Sequence, residues 1–147
     1  MNRRSFLGWL AAAAAASSAS AQSARQATLY KNPQCGCCED YADYLRGRGY
    51  KVEVIPTHDL DAVRSRHRVP DLLYGCHTTL VDGYVVEGHV PAGTIERLLR
   101  ERPRIRGISL PGMPQGSPGM TGRKKEPFTI YEIGAQTTGK PRVYAVE

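Results

Sequence analysis

The chain has 147 residues, with 20 Lys+Arg against 14 Asp+Glu, 41% hydrophobic and 23% charged residues. That describes one domain with a modest extension and excludes a large multidomain enzyme, a fibrous repeat and a disordered chain. Four cysteines are too few for a disulfide-dense scaffold, and three of them sit together as Cys35-Gly36-Cys37-Cys38.

Residues 1–21 read as an export signal. Arg3-Arg4 make a positive start, Phe6 to Ala16 form an apolar stretch ending in six alanines, and Ala19-Ser20-Ala21 is a small-residue cleavage site. The Arg3-Arg4-Ser5-Phe6-Leu7 centre resembles the bacterial twin-arginine signal, although Asn2 stands where Ser or Thr is usual and Gly8 where Lys is frequent. An ordinary secretory signal carrying two arginines is the alternative. The apolar run is about half the ~20 residues a bilayer span needs, so no permanent membrane anchor is expected. Either route places the mature chain in the periplasm.

After a polar tail at residues 22–26, Ala27 to Lys31 is a candidate strand that ends at the turn pair Asn32-Pro33. Cys38, Tyr41, Ala42 and Leu45 then repeat with the spacing of a helix stripe. Glu39 and Asp40 suit its first turn, and Gly47 and Gly49 can end it. Tyr50 to Ile55 alternates as a second strand. Asp59 is a candidate N-cap for a helix with Leu60, Val63 and His67 on one face, stopped by Pro70. Thr78 to Val81 and Tyr84 to His89 flank Asp82-Gly83, a strong hairpin signal. Pro91 opens a third helix with Ile95, Leu98 and Leu99 as its stripe and Pro103 beyond its end.

The order β-α-β-α-β-β-α predicts an α/β, thioredoxin-like fold for residues 22–103. Residues 104–147 form a Gly/Pro/Met loop followed by two terminal strands, Phe128 to Ile133 and Arg142 to Val146. So long a loop in a compact domain is functional or disordered. The basic groups Arg97, Arg100, Arg102, Arg104 and Arg106 are interrupted by Glu96 and Glu101, and with Arg123-Lys124-Lys125 they read as solvated surface rather than a nucleic-acid site.

The chemistry sits in the cysteines. Cys35 and Cys38 make a C-x-x-C pair, and Cys37 adds a third thiol at the start of the first helix, whose free N–H groups and dipole favour thiolate. Gly36 is expected to let this loop bend. Three thiolates on one turn repel one another, and a soft cation removes that repulsion. Cys76-His77 precedes the third strand, at the place where a thioredoxin-like fold packs its cis-proline loop against the active-site turn. The expected ligand set is therefore Cys35, Cys37, Cys38, Cys76 and His77. Thiolate and imidazole suit Cu(I), and five donors suit bridged copper ions better than one tetrahedral zinc. Met113 and Met120 offer additional thioethers, or fill the loop. His58 and His67 read as surface or capping residues, and His89 as a residue at the rim of the site. Two structural disulfides, with three possible pairings, remain an alternative for an exported chain.

The segments LYKNPQCGCCEDYADYL, GCHTTLVDGYVVEGHVPAGTI and GISLPGMPQGSPGM resemble the CopG-like, thioredoxin-like CxCC/CH family of periplasmic copper-resistance proteins over residues 27 to about 146. The resemblance implies copper held by Cys35, Cys37, Cys38, Cys76 and His77, as a thiolate-bridged multinuclear cluster, and a role in copper tolerance through interconversion of Cu(I) and Cu(II). Partners would be copper ions and other envelope copper-handling proteins. A thiol-disulfide oxidoreductase using Cys35 and Cys38 and a copper metallochaperone are the rival readings.

Overall fold

The computed structural model describes residues 23–134 and 139–147. The expected export signal lies outside the described residues, as does part of the last turn. The elements are β1 (Arg25–Lys31), α1 (Gly36–Gly47), β2 (Tyr50–Pro56), α2 (Leu60–Arg66), a 3-10 turn at Asp71–Leu73, β3 (His77–Val81), β4 (Tyr84–Glu87), α3 (Ala92–Glu101), β5 (Gly107–Ser109), β6 (Thr129–Ile133) and β7 (Val143–Val146). Seven strands make one sheet in the order β2-β1-β3-β4-β5-β6-β7. β1–β2 and β4–β5 are parallel, and the other neighbours are antiparallel. Among the described residues no helix is long and apolar enough to cross a membrane.

Local chemistry explains most of these elements. Cys38, Tyr41, Ala42 and Leu45 are the buried stripe of α1. The Asp59 carboxylate accepts the Ala62 N–H at 3.0 Å and caps α2. Asp82 and Gly83 both have positive φ, 48° and 83°, as a two-residue turn matched to strand twist requires. The sheet is covered on both faces. Leu29, Val86 and Ile108 pack with the stripes of α1 and α3, while Val85 and Ile133 pack with Val69 and Leu73. Adjacent Val85 and Val86 thus point to opposite faces, as the period-two alternation of a strand demands.

The structure departs from the sequence reading in several places, among them the start of β3, which takes in His77. β1 begins at Arg25 rather than Ala27, because Arg25 and Gln26 find ladder partners in Tyr50 and Lys51. α2 ends at Arg66, well before Pro70, since Arg68 adopts φ 55° and leaves the helix. β4 ends at Glu87, because Gly88 turns with φ 76°. β5 lies within the stretch read as irregular; three residues are too few to show an alternation, and pairing with β4 and β6 creates the strand.

Candidate metal centre

The turn after β1 builds the first half of the site. The Cys35 N–H donates to the Asn32 carbonyl at 3.0 Å, and the Gln34 N–H donates to Asn32 Oδ1 at 3.0 Å. Cys35 becomes the N-cap residue of α1, which places Cys37 and Cys38 in its first turn. The N–H groups there lack intrahelical acceptors and carry the positive end of the helix dipole. Glu39 is the first-turn acid, whereas Asp40 falls beyond that turn. Glu39 pairs with the buried Lys31 Nζ at 3.0 Å. Gly36 does not have the bending role expected of it: its φ is not positive, and a Cβ there would meet nothing within 4 Å.

The second half comes from the segment entering β3. Arg64 and Glu87, both buried, form an ion pair, with Arg64 Nε donating to Glu87 Oε1 at 2.9 Å. Between them they hold Gly75 from both sides. Its N–H donates to Glu87 Oε1 at 2.9 Å, and its carbonyl accepts from Arg64 Nη2 at 2.8 Å. Thr78 Oγ1 donates to the other Glu87 oxygen at 2.6 Å. A Cβ at Gly75 would sit 2.5 Å from Gly88 Cα, so only glycine permits this approach of the two chain segments. Spacing along the chain does not mark Arg64, and the one sequence signal for Glu87 is a charged residue ending the apolar run Tyr84-Val85-Val86.

The clamp delivers Cys76 into the cysteine turn. Its Sγ lies 3.1 Å from Cys35 Sγ and 3.3 Å from both Cys37 Sγ and Cys38 Sγ. The four sulfurs lie within 4.8 Å of one another and form a group able to hold a metal ion. Cys35 and Cys38 are joined as a disulfide with Cα atoms 5.6 Å apart, leaving Cys37 and Cys76 as free thiols. Binding a metal through all four therefore requires reduction of that bond. Burial, with the Cys37 hydrogen bond and charge adding to it, pushes the Cys76 thiol up to about 12. A bound soft cation would reverse this by stabilising the thiolate.

His77 belongs to a second, overlapping group with Cys76 and His89, again with ligand atoms within 4.8 Å of one another. Lys31 is its cross-strand partner on β1. Both imidazoles are fully buried, and burial keeps both neutral, pushing His77 well below its ordinary value and lowering His89. Tyr41 supports the pair from α1, its ring centroid 4.5 Å from that of His77 and 5.3 Å from that of His89. The Tyr41 hydroxyl donates to the Val90 carbonyl at 2.7 Å.

The Gly/Pro/Met loop is stitched to this region. The Gly112 N–H donates to the Tyr74 carbonyl at 2.9 Å, and the Pro118 carbonyl lies 2.6 Å from His89 Nδ1. A cleft of about 410 Å³ reaches Cys76 between walls that include His58, Asp59, Asp61 and Met113. Met113 is 57% exposed there. Met120 is half-buried and does not line this cleft. His58 is exposed, as read from the sequence, yet it shares the cleft with Cys76; His67 is the C-cap residue of α2.

A family described as "Protein of unknown function, DUF411" matches residues 73–120, which include Cys76, His77 and the loop but not the first cysteine cluster. A solved structure of copper resistance protein CopG, form 2, is 38% identical with a TM-score of 0.75, covering 84% of this chain and 98% of that one. Form 1 of the same protein is also 38% identical, with a TM-score of 0.74 over 83% and 96% of the two chains. No curated protein matches the chain. The mixed α/β fold, with its single seven-stranded sheet and three α-helices among the described residues, is thus similar to that of CopG.

Proposed function

The chain belongs to the CopG-like copper-resistance family, and from that premise we propose that it is an exported protein that binds copper in the periplasm, sequestering it and interconverting Cu(I) and Cu(II). The observation that carries the reading is the convergence of Cys76 on Cys35, Cys37 and Cys38, with Sγ separations of 3.1–3.3 Å. These four thiolates and His77 are the ligands. Five donors exceed the needs of one Cu(I), and thiolates bridge, so the copper is held as a multinuclear cluster. Residues 1–21 are the export signal. Residues 22–103 are the thioredoxin-like core, with its site at the β1–α1 junction, and residues 104–147 are its extension.

The redox step balances within the site. Two Cu(II) ions each take one electron from the reduced Cys35 and Cys38 thiols, giving two Cu(I), the Cys35–Cys38 disulfide and two protons. An external two-electron reductant, such as a dithiol, restores the thiols by exchange. Cys37 and Cys76 stay free to hold the Cu(I) produced.

One observation favours a second reading: the Cys35–Cys38 bond lies at a helix N-terminus, as in a thiol-disulfide oxidoreductase. Anaerobic loading of reduced protein with Cu(I) separates the two. Wild type is expected to bind copper, and Cys35→Ser and Cys76→Ser to bind less. Unchanged stoichiometry in both variants, together with efficient reduction of protein disulfides by the metal-free chain, would establish the second reading instead.

A further inference from the structure

We propose a second metal position, formed by Cys76, His77 and His89, that shares the Cys76 sulfur with the cysteine cluster. It rests on the copper-binding reading and extends it to His89. The two histidines are fully buried, yet Nε2 of His89 has no hydrogen-bond partner among the described residues, and His77 has a backbone interaction at Gly88 for one ring nitrogen and none for the other. Each such orphan costs about 1–3 kcal/mol in a protein interior. A cation between the two rings would take one lone pair from each imidazole, the other His77 nitrogen carrying its proton.

His89 is set for this role by the loop. Its Nδ1 is 2.6 Å from the Pro118 carbonyl oxygen, which can only accept, so Nδ1 carries the proton and Nε2 is a bare lone pair. Metal-ligating histidines are oriented in this way, with the far N–H held by a carbonyl. The ligand atoms of Cys76, His77 and His89 lie within 4.8 Å of one another, and the ring centroids of the two histidines are 4.7 Å apart. Two imidazoles and one thiolate form a trigonal donor set that copper occupies in both oxidation states. Tyr41 packs on both rings and leaves them little freedom to turn elsewhere.

The test uses the reduced full chain, titrated anaerobically with Cu(I) against a chromophoric competitor, with copper X-ray absorption on the loaded protein. His89→Ala removes the ring, and His89→Asn keeps a donor for Pro118 while removing Nε2. Both are expected to bind about one copper fewer per chain, the loss of a single position, with a weaker nitrogen contribution per chain. Cys37→Ser, outside the trio, is expected to retain the nitrogen contribution. Should His89→Ala fail to fold, His89→Asn with a native circular-dichroism spectrum decides. Full stoichiometry and unchanged nitrogen ligation in the folded His89 variants would overturn this position alone. A wild type that binds no copper would overturn it together with the copper reading.

Discussion

Glu87 Oε1 accepts the Gly75 N–H at 2.9 Å, so a fully buried carboxylate holds the backbone one residue before Cys76. The same oxygen accepts a hydrogen bond from Arg64 Nε–H, and burial still raises the carboxyl's pKa against these partners. Removing one member of a buried ion pair leaves the other uncompensated. Glu87→Ala is therefore expected to lose about 3–5 kcal/mol in urea unfolding. Glu87→Gln retains an acceptor for Gly75 and should lose less. A loss in Glu87→Ala no larger than that of an exposed acid such as Glu53 would show that the clamp does not hold this segment.

Oxidation should set the copper capacity. With Cys35 and Cys38 bonded, thiol titration of the denatured but unreduced chain is expected to count only Cys37 and Cys76, and the fully reduced chain all four. The oxidised form should bind Cu(I) more weakly, because two of the four sulfurs are then unavailable as thiolates. Equal Cu(I) affinity in the two forms would remove Cys35 and Cys38 from the ligand set.

Tyr41 offers a control that separates packing from ligation. Tyr41→Phe keeps the ring against His77 and His89 but leaves the Val90 carbonyl without its donor, for a loss of about 1–3 kcal/mol. Copper stoichiometry should not change. A Tyr41→Phe chain that is fully stable but short of copper would make the phenol oxygen itself part of the centre.

The two methionines should differ. Met113 lines the cleft that reaches Cys76 and Met120 does not, so Met113→Leu is expected to slow copper loading from a weak-chelator complex in stopped-flow measurements. Met120→Leu should load at the wild-type rate, and final stoichiometry should be the same in both. Identical loading by the two variants and wild type would leave Met113 as a filler of the loop.

Much of the fold is legible in the sequence because its determinants are short-range. The Cys38, Tyr41, Ala42 and Leu45 stripe, the Asp59 cap and the Asp82-Gly83 turn each involve residues within one or two turns of chain, where spacing decides geometry. The same holds for the clustering of Cys35, Cys37 and Cys38 at a helix start. β5 escaped because a three-residue strand has no pattern of its own and exists only through its neighbours β4 and β6.

The amino-acid order by itself determined which donors the protein possesses and the helix end at which three of them gather. Spacing and order also pointed to Cys76 and His77 as the side chains that meet them, and tertiary structure alone decided what holds the two halves together. The Arg64–Glu87 pair that grips Gly75, and the Pro118 carbonyl that leaves His89 Nε2 bare, join positions 23 and 29 residues apart. Such contacts leave no periodic trace along the chain, because they form only after the sheet has brought distant segments together and excluded the water that would otherwise satisfy their polar atoms.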